Sequence, residues 1–192
     1  MIAKRLANQS LLIFSILYMA LMMAGGFRLA TAFSTPHDAT AVSFVATHAM
    51  TIKLGSFLEL SSALVFGAFM GSILGRMQFT GMRAWEMQIA TFGSIGVIVM
   101  LALSALSTWS LTRPGVADSS GAVATLQSLA FDGGGPGFSV FLGFFVAGVS
   151  IAARRQELIP GWLKWFGVGI ATACELAALT LLNFTAGYFS RS

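Results

Sequence analysis

HAMTIKLGSFLELSSALVFGAFMGSILG, residues His48 to Gly75, is a long apolar run that still carries a histidine, a lysine and a glutamate. At 1.5 Å rise per residue, a helix over this stretch exceeds the ~30 Å of hydrocarbon in a bilayer. It therefore reads as a membrane-crossing helix with three ionisable groups in its first half. The rest of the 192-residue chain agrees. It is 56% hydrophobic and 9% charged, with mean hydropathy +0.82, where a soluble domain carries about a quarter charged residues. A water-soluble fold of this length cannot hide so much apolar surface, whereas lipid can surround it.

Apolar runs of spanning length recur along the chain. The expected fold is all-α: a single integral membrane bundle of five transmembrane helices, over residues 10–29, 48–74, 85–109, 138–153 and 162–188. The loop between the third and fourth spans is long. Its residues 116–130 are expected to form a short extramembrane helix, with Ala122, Leu126, Leu129 and Ala130 on one face. The run from Asp132 to Gly137, DGGGPG, is then expected to break regular structure as a flexible turn. The first apolar run follows a basic start, as a leader peptide would, but it is long enough to be a retained helix.

The net charge of +4 and pI near 9.8 do not point to nucleic acid, because the basic residues are spread through short loops. With the N-terminus in the cytoplasm, Lys4, Arg5, Arg76, Arg83, Arg154, Arg155 and Lys164 lie inside. Arg28, Lys53, Arg113 and Arg191 then lie at or beyond the outer edge. That asymmetry predicts an N-in, C-out protein of a bacterial cytoplasmic membrane. Trp85, Trp109, Trp162, Trp165 and Tyr188 fall near the expected span ends. Glu86, beside Trp85, is expected to pair with Arg83 or Arg76.

A single cysteine, Cys174, excludes an intrachain disulfide and reads as a packing residue. His37 and His48 match no metal motif, and no phosphate loop, dinucleotide fingerprint or nucleophile elbow occurs. No cofactor, metal or catalytic set is therefore expected. The methionines and phenylalanines read as lipid-facing or gap-filling side chains.

The ionisable residues in the spans define the candidate site. On a helix, His48 and Glu59 nearly eclipse one another, with Glu59 about 16 Å deeper, and Ser56 and Ser62 neighbour Glu59 at i−3 and i+3. Lys53 lies between them in depth on another azimuth. Glu175 occupies similar depth in the last span, beside a stripe containing Thr172 and Asn183. Charges in a span turn inward and seek partners. Glu59, Glu175, His48, Lys53, Arg28, Ser56, Ser62 and Asn183 are thus expected to form an outward-facing polar pocket for a small or lipidic ligand or ion.

Gly67, Gly71 and Gly75 repeat at a spacing of four, the small-residue pattern that lets membrane helices approach closely. They predict a tight crossing, with an intrachain helix favoured over a second copy or a partner transmembrane helix. Gly93 with Gly96 and Gly167 with Gly169 are weaker versions. The alternative function is accordingly a helix-packing subunit of a membrane complex. A membrane-embedded enzyme using His48 and Glu59 as acid and base is the less favoured third. Partners are membrane lipids in every case.

Three passages also resemble a widespread family of small bacterial multi-helix inner-membrane proteins catalogued as a domain of unknown function. They are IKLGSFLELSSALVFGAFMGSIL (52–74), WSLTRPGVADSSGAVATLQSLAFDGGGPGF (109–138) and RRQELIPGWLKWFGVGIA (154–171). The resemblance matches Asp132 to an aspartate before the fourth span, although the triple glycine departs from the usual pattern. It implies a helical inner-membrane protein and no activity.

Overall fold

The computed structural model describes residues 11–25, 39–78, 83–116 and 118–181. They are mostly helical, with no strand among them. The helices are α1 (Leu11–Gly25), α2 (Ala39–Thr47), α3 (Ala49–Gln78), α4 (Ala84–Ser110), α5 (Ser120–Asp132), α6 (Phe138–Arg155) and α7 (Gly161–Leu176). A 3₁₀ turn, Ala177–Leu179, continues α7. Four helical runs are long and apolar enough to cross a membrane: Ala49–Gln78, Ala84–Ser110, Ser120–Arg155 and Gly161–Leu179. The described part of the first expected span is the shorter apolar helix α1. Large side chains such as Phe57, Leu64 and Trp162 remain exposed along these helices. In water such surface would drive association; it suits lipid.

The second and third expected spans match α3 and α4 closely. The loop between α4 and α6 does not behave as expected. A helix does form there, capped by the Ser119 hydroxyl, which accepts from the Ala122 N–H at 3.3 Å. Its buried residues are Val123, Gln127 and Ala130, with Leu126 against the core, while Leu129 is exposed. The face is thus rotated from the expected one. More important, the glycine run does not break the helix. Gly133–Gly137 forms a π-helical turn that joins α5 to α6 in one run of 36 residues. A π turn admits an extra residue, and so accommodates Pro136, which has no N–H to give and would clash in a regular α turn.

The chain divides into two compact units. One comprises Met1–Phe69 with Leu101–Gly134, the other Met70–Met100 with Gly135–Ser192. In the first unit, Val45, Ile52, Leu111 and Val123 form a buried cluster, and α2 packs on α5. Helix α1 lies close on α3. A Cβ at Gly25 would sit 3.4 Å from the Gly55 carbonyl oxygen, and the Tyr18 and Phe66 rings are 4.7 Å apart. The turn after α4 uses Gly115 at φ +82°, a conformation glycine adopts freely.

In the second unit, the tight crossings among the described residues are not at Gly71 or Gly75 of α3. A Cβ at Gly71 or Gly75 would meet nothing within 4 Å among the described residues, so the expected intrachain crossing is not found there. Instead α4 and α6 interlock. A Cβ at Gly93 would lie 2.4 Å from the Phe145 nitrogen, and one at Gly96 would fall inside the Phe141 ring. Gly148 approaches Ala90, with its Cβ position 3.0 Å from the Ala90 nitrogen. Phe92 meets Phe141 and Phe144 edge-on at 5.4 and 5.7 Å. Helix α7 packs on α6 through Gly143, facing Ala171 and Cys174, and through Gly167, facing Ser150.

Candidate functional site

The site is centred on Glu59, in the middle of α3. Its neighbours follow from the crossing of α3, α4 and the π turn within the first unit. Glu59 is only 8% exposed. The Ser104 hydroxyl of α4, itself buried, hydrogen-bonds its carboxyl group. Gly134, in the π turn, closes on the same pair: a Cβ there would stand 2.7 Å from Ser104 Oγ and 3.5 Å from Glu59 Oε1. A side chain at 134 would displace the Ser104 hydroxyl and touch the carboxyl group. Glu59 Oε2 is buried and has no hydrogen-bond partner among the described residues. A buried polar atom without a partner is costly, and no described residue offsets that cost here.

Ser56 and Ser62 are buried beside Glu59 as expected, but their hydroxyls serve the helix backbone. Ser56 donates to the Ile52 carbonyl at 2.9 Å, and Ser62 to that of Glu59 at 2.6 Å. His48 does not join the site. It is exposed, its ring stacks on Phe44 at 4.1 Å, and Nδ1 lies 3.1 Å from the Phe44 carbonyl. Lys53 is exposed and lines a separate groove with Ser56, Leu60 and Trp109. Arg28 and Asn183 lie outside the described residues.

Glu175 belongs to the second unit. It is half-buried, and its Oε1 would be 2.8 Å from a Cβ at Gly143, so its carboxyl group rests on the α6 backbone. Glu86 also differs from expectation. It is fully buried, and its Oε1 pairs with Arg155 Nη1 at 2.5 Å, a partner from the end of α6. Its Oε2 accepts from the Arg83 backbone N–H at 3.3 Å, which is the reciprocal half of a capping box at the start of α4. The Arg155 guanidinium also lies 5.7 Å from the Trp85 ring centre.

The sequence reading missed Ser104 and Gly134. Nothing local distinguishes Ser104 from the other serines of α4. Gly134 carried a signal in the glycine run, which was assigned to flexibility. Among the described residues, no group of three or more His, Cys, Asp and Glu side chains is placed to hold a metal ion. No protein-family model, curated protein or solved structure matches this chain.

Proposed function

We propose that this chain is a multi-pass integral protein of the bacterial inner membrane, non-enzymatic, that binds a monovalent cation, the proton included, at Glu59. The observation that carries this reading is the buried, unpartnered Oε2. One carboxylate with a hydroxyl beside it suits a single positive charge. The close approach of Gly134 disfavours an organic molecule at the carboxyl group. The N-in orientation and the bacterial setting rest on the basic-residue asymmetry and the family resemblance.

The test is a stability titration of the purified chain with Na⁺ or K⁺ at constant ionic strength. Saturable stabilisation is expected, reaching about 2.7 kcal/mol at a hundredfold excess over Kd. It should weaken as pH falls, because the proton competes for the same oxygen. Glu59→Gln should abolish the cation effect. Equal responses of the two proteins to both cation and pH would reject the site.

A second reading draws on the open glycine face. Gly71 and Gly75 meet nothing among the described residues, and the helix of a partner or a second copy would fit against them. A strictly monomeric particle that captures no partner helix would count against it.

A further inference from the structure

Away from Glu59, on the exposed side of α3 and α4, lies a groove of about 220 Å³. Lys53 and Trp109 mark one end of it, and Phe57, Leu60 and Leu106 form its apolar lining. We propose that this groove binds one acyl chain of an anionic glycerophospholipid, with the phosphate held by Lys53.

The polarity of the groove is graded along its length. Lys53 precedes Leu60 by about two helical turns, which separates the ammonium-bearing end from the apolar end by roughly 10 Å. Trp109 stands in the last turn of α4, where an indole marks a membrane–water boundary. Arg113 lies over the Trp109 ring, 4.1 Å from its centre, and so brings a second cation to the same end. Lys53 is exposed and has no ion-pair or hydrogen-bond partner among the described residues. Asp118 shares a neighbouring cavity with Arg113 but forms no ion pair with it. Among the described residues, no acidic side chain forms an ion pair at this end.

The size of the groove narrows the occupant. At about 220 Å³ it falls below the ~300–1,000 Å³ typical of pockets that enclose a drug-sized molecule. A lipid needs less, because its second chain and the remainder of the first stay in the bilayer. The groove opens sideways between side chains already exposed to that medium, with Phe57 66% and Leu106 51% exposed. Two cations that form no ion pair among the described residues favour an anionic headgroup over a zwitterionic one. The proposal does not depend on what Glu59 binds.

The experiment places the chain, with Trp85, Trp162 and Trp165 replaced by phenylalanine, in phosphatidylcholine nanodiscs. These contain a minor fraction of brominated phosphatidylglycerol or, in parallel, brominated phosphatidylcholine. Trp109 quenching should report a relative affinity about fivefold higher for phosphatidylglycerol, the contribution of one basic side chain near an anionic surface. Lys53→Gln should bring the ratio close to one, and Lys53→Arg should retain most of it. Native mass spectrometry of the chain with all its tryptophans gives an independent readout: phosphatidylglycerol adducts should outlast phosphatidylcholine adducts, and Lys53→Gln should remove the difference. Equal quenching by the two lipids, or a preference unchanged in Lys53→Gln, would overturn the proposal.

Discussion

Gly93→Ala is expected to cost about 3 kcal/mol or more, or to prevent folding of the second unit. Overpacking a core by a methyl group usually costs about 1–3 kcal/mol, because neighbouring side chains can shift. Here the new Cβ would stand 2.4 Å from the Phe145 nitrogen and 2.7 Å from the Phe141 carbonyl oxygen. Those are backbone atoms of α6, so relief requires the two helices to separate. That separation would also undo the Gly148–Ala90 approach and the Phe92 ring contacts. Gly96→Ala should cost nearly as much: its Cβ would lie 2.2 Å from Phe141 Cγ, which ring rotation does not move, so relief needs a new χ1 rotamer rather than a helix shift. Gly169→Ala should be neutral or mildly stabilising: its Cβ meets nothing within 4 Å, and alanine is the better helix former. Thermal unfolding followed by tryptophan fluorescence in detergent should rank the variants in that order. A Gly93→Ala protein as stable as the parent would mean that α4 and α6 do not cross at Phe145.

Glu86→Ala is expected to lose about 2–4 kcal/mol. Removing one member of a buried pair costs about 3–5 kcal/mol when the remaining charge is trapped. The Arg155 side chain is 32% exposed and can turn toward water, which lowers the figure. Against that, the Arg83 N–H at the start of α4 loses its acceptor. Glu86→Gln should lie between the parent and the alanine variant, because its amide oxygen can still accept that N–H. Replacing both partners, Glu86→Leu with Arg155→Met, should recover much of the loss, as apolar substitutes for buried pairs often do. Denaturant titration of the four proteins measures the set. No recovery in the double variant would show that Arg155 has a further role.

Helices α3 and α4 were legible in the sequence because length and hydropathy alone specify them. What the sequence could not rank was the glycines. A spacing of four identifies a face that is able to pack closely, but packing needs a matching partner. Gly93 and Gly96 have one in the Phe141–Phe145 turn of α6, which carries its own Gly143 and Gly148. Gly71 and Gly75 have none among the described residues. The glycine–proline run misled for a related reason. Its residues punctuate helices when water can take up the freed backbone groups, but between two apolar helices a π turn satisfies most of them without leaving the helix.

The candidate site was half legible. Depth and periodicity selected Glu59, Ser56 and Ser62, since burial follows from position along a helix. The partners of Glu59 and Glu86 lie on distant segments, and no local pattern encodes Ser104 opposite Glu59 or Arg155 opposite Glu86. His48 misled because its match to Glu59 in azimuth ignored the end of α2, where Phe44 offers a ring and a carbonyl close by.

The central claim is that the glycine turn after α5 closes on the Glu59–Ser104 pair. Disulfide trapping tests it directly. With Cys174 replaced by serine, cysteines at Ser104 and Gly134 would place their Cβ atoms about 3.3 Å apart, close to the ~3.5–4.5 Å that a disulfide spans. Mild oxidation of the purified Ser104→Cys, Gly134→Cys protein should cross-link it rapidly. The Ser104→Cys, Asp132→Cys control, whose second position is exposed, should remain reduced. Cross-linking through 132 but not 134 would contradict the account, as would no cross-link in either protein.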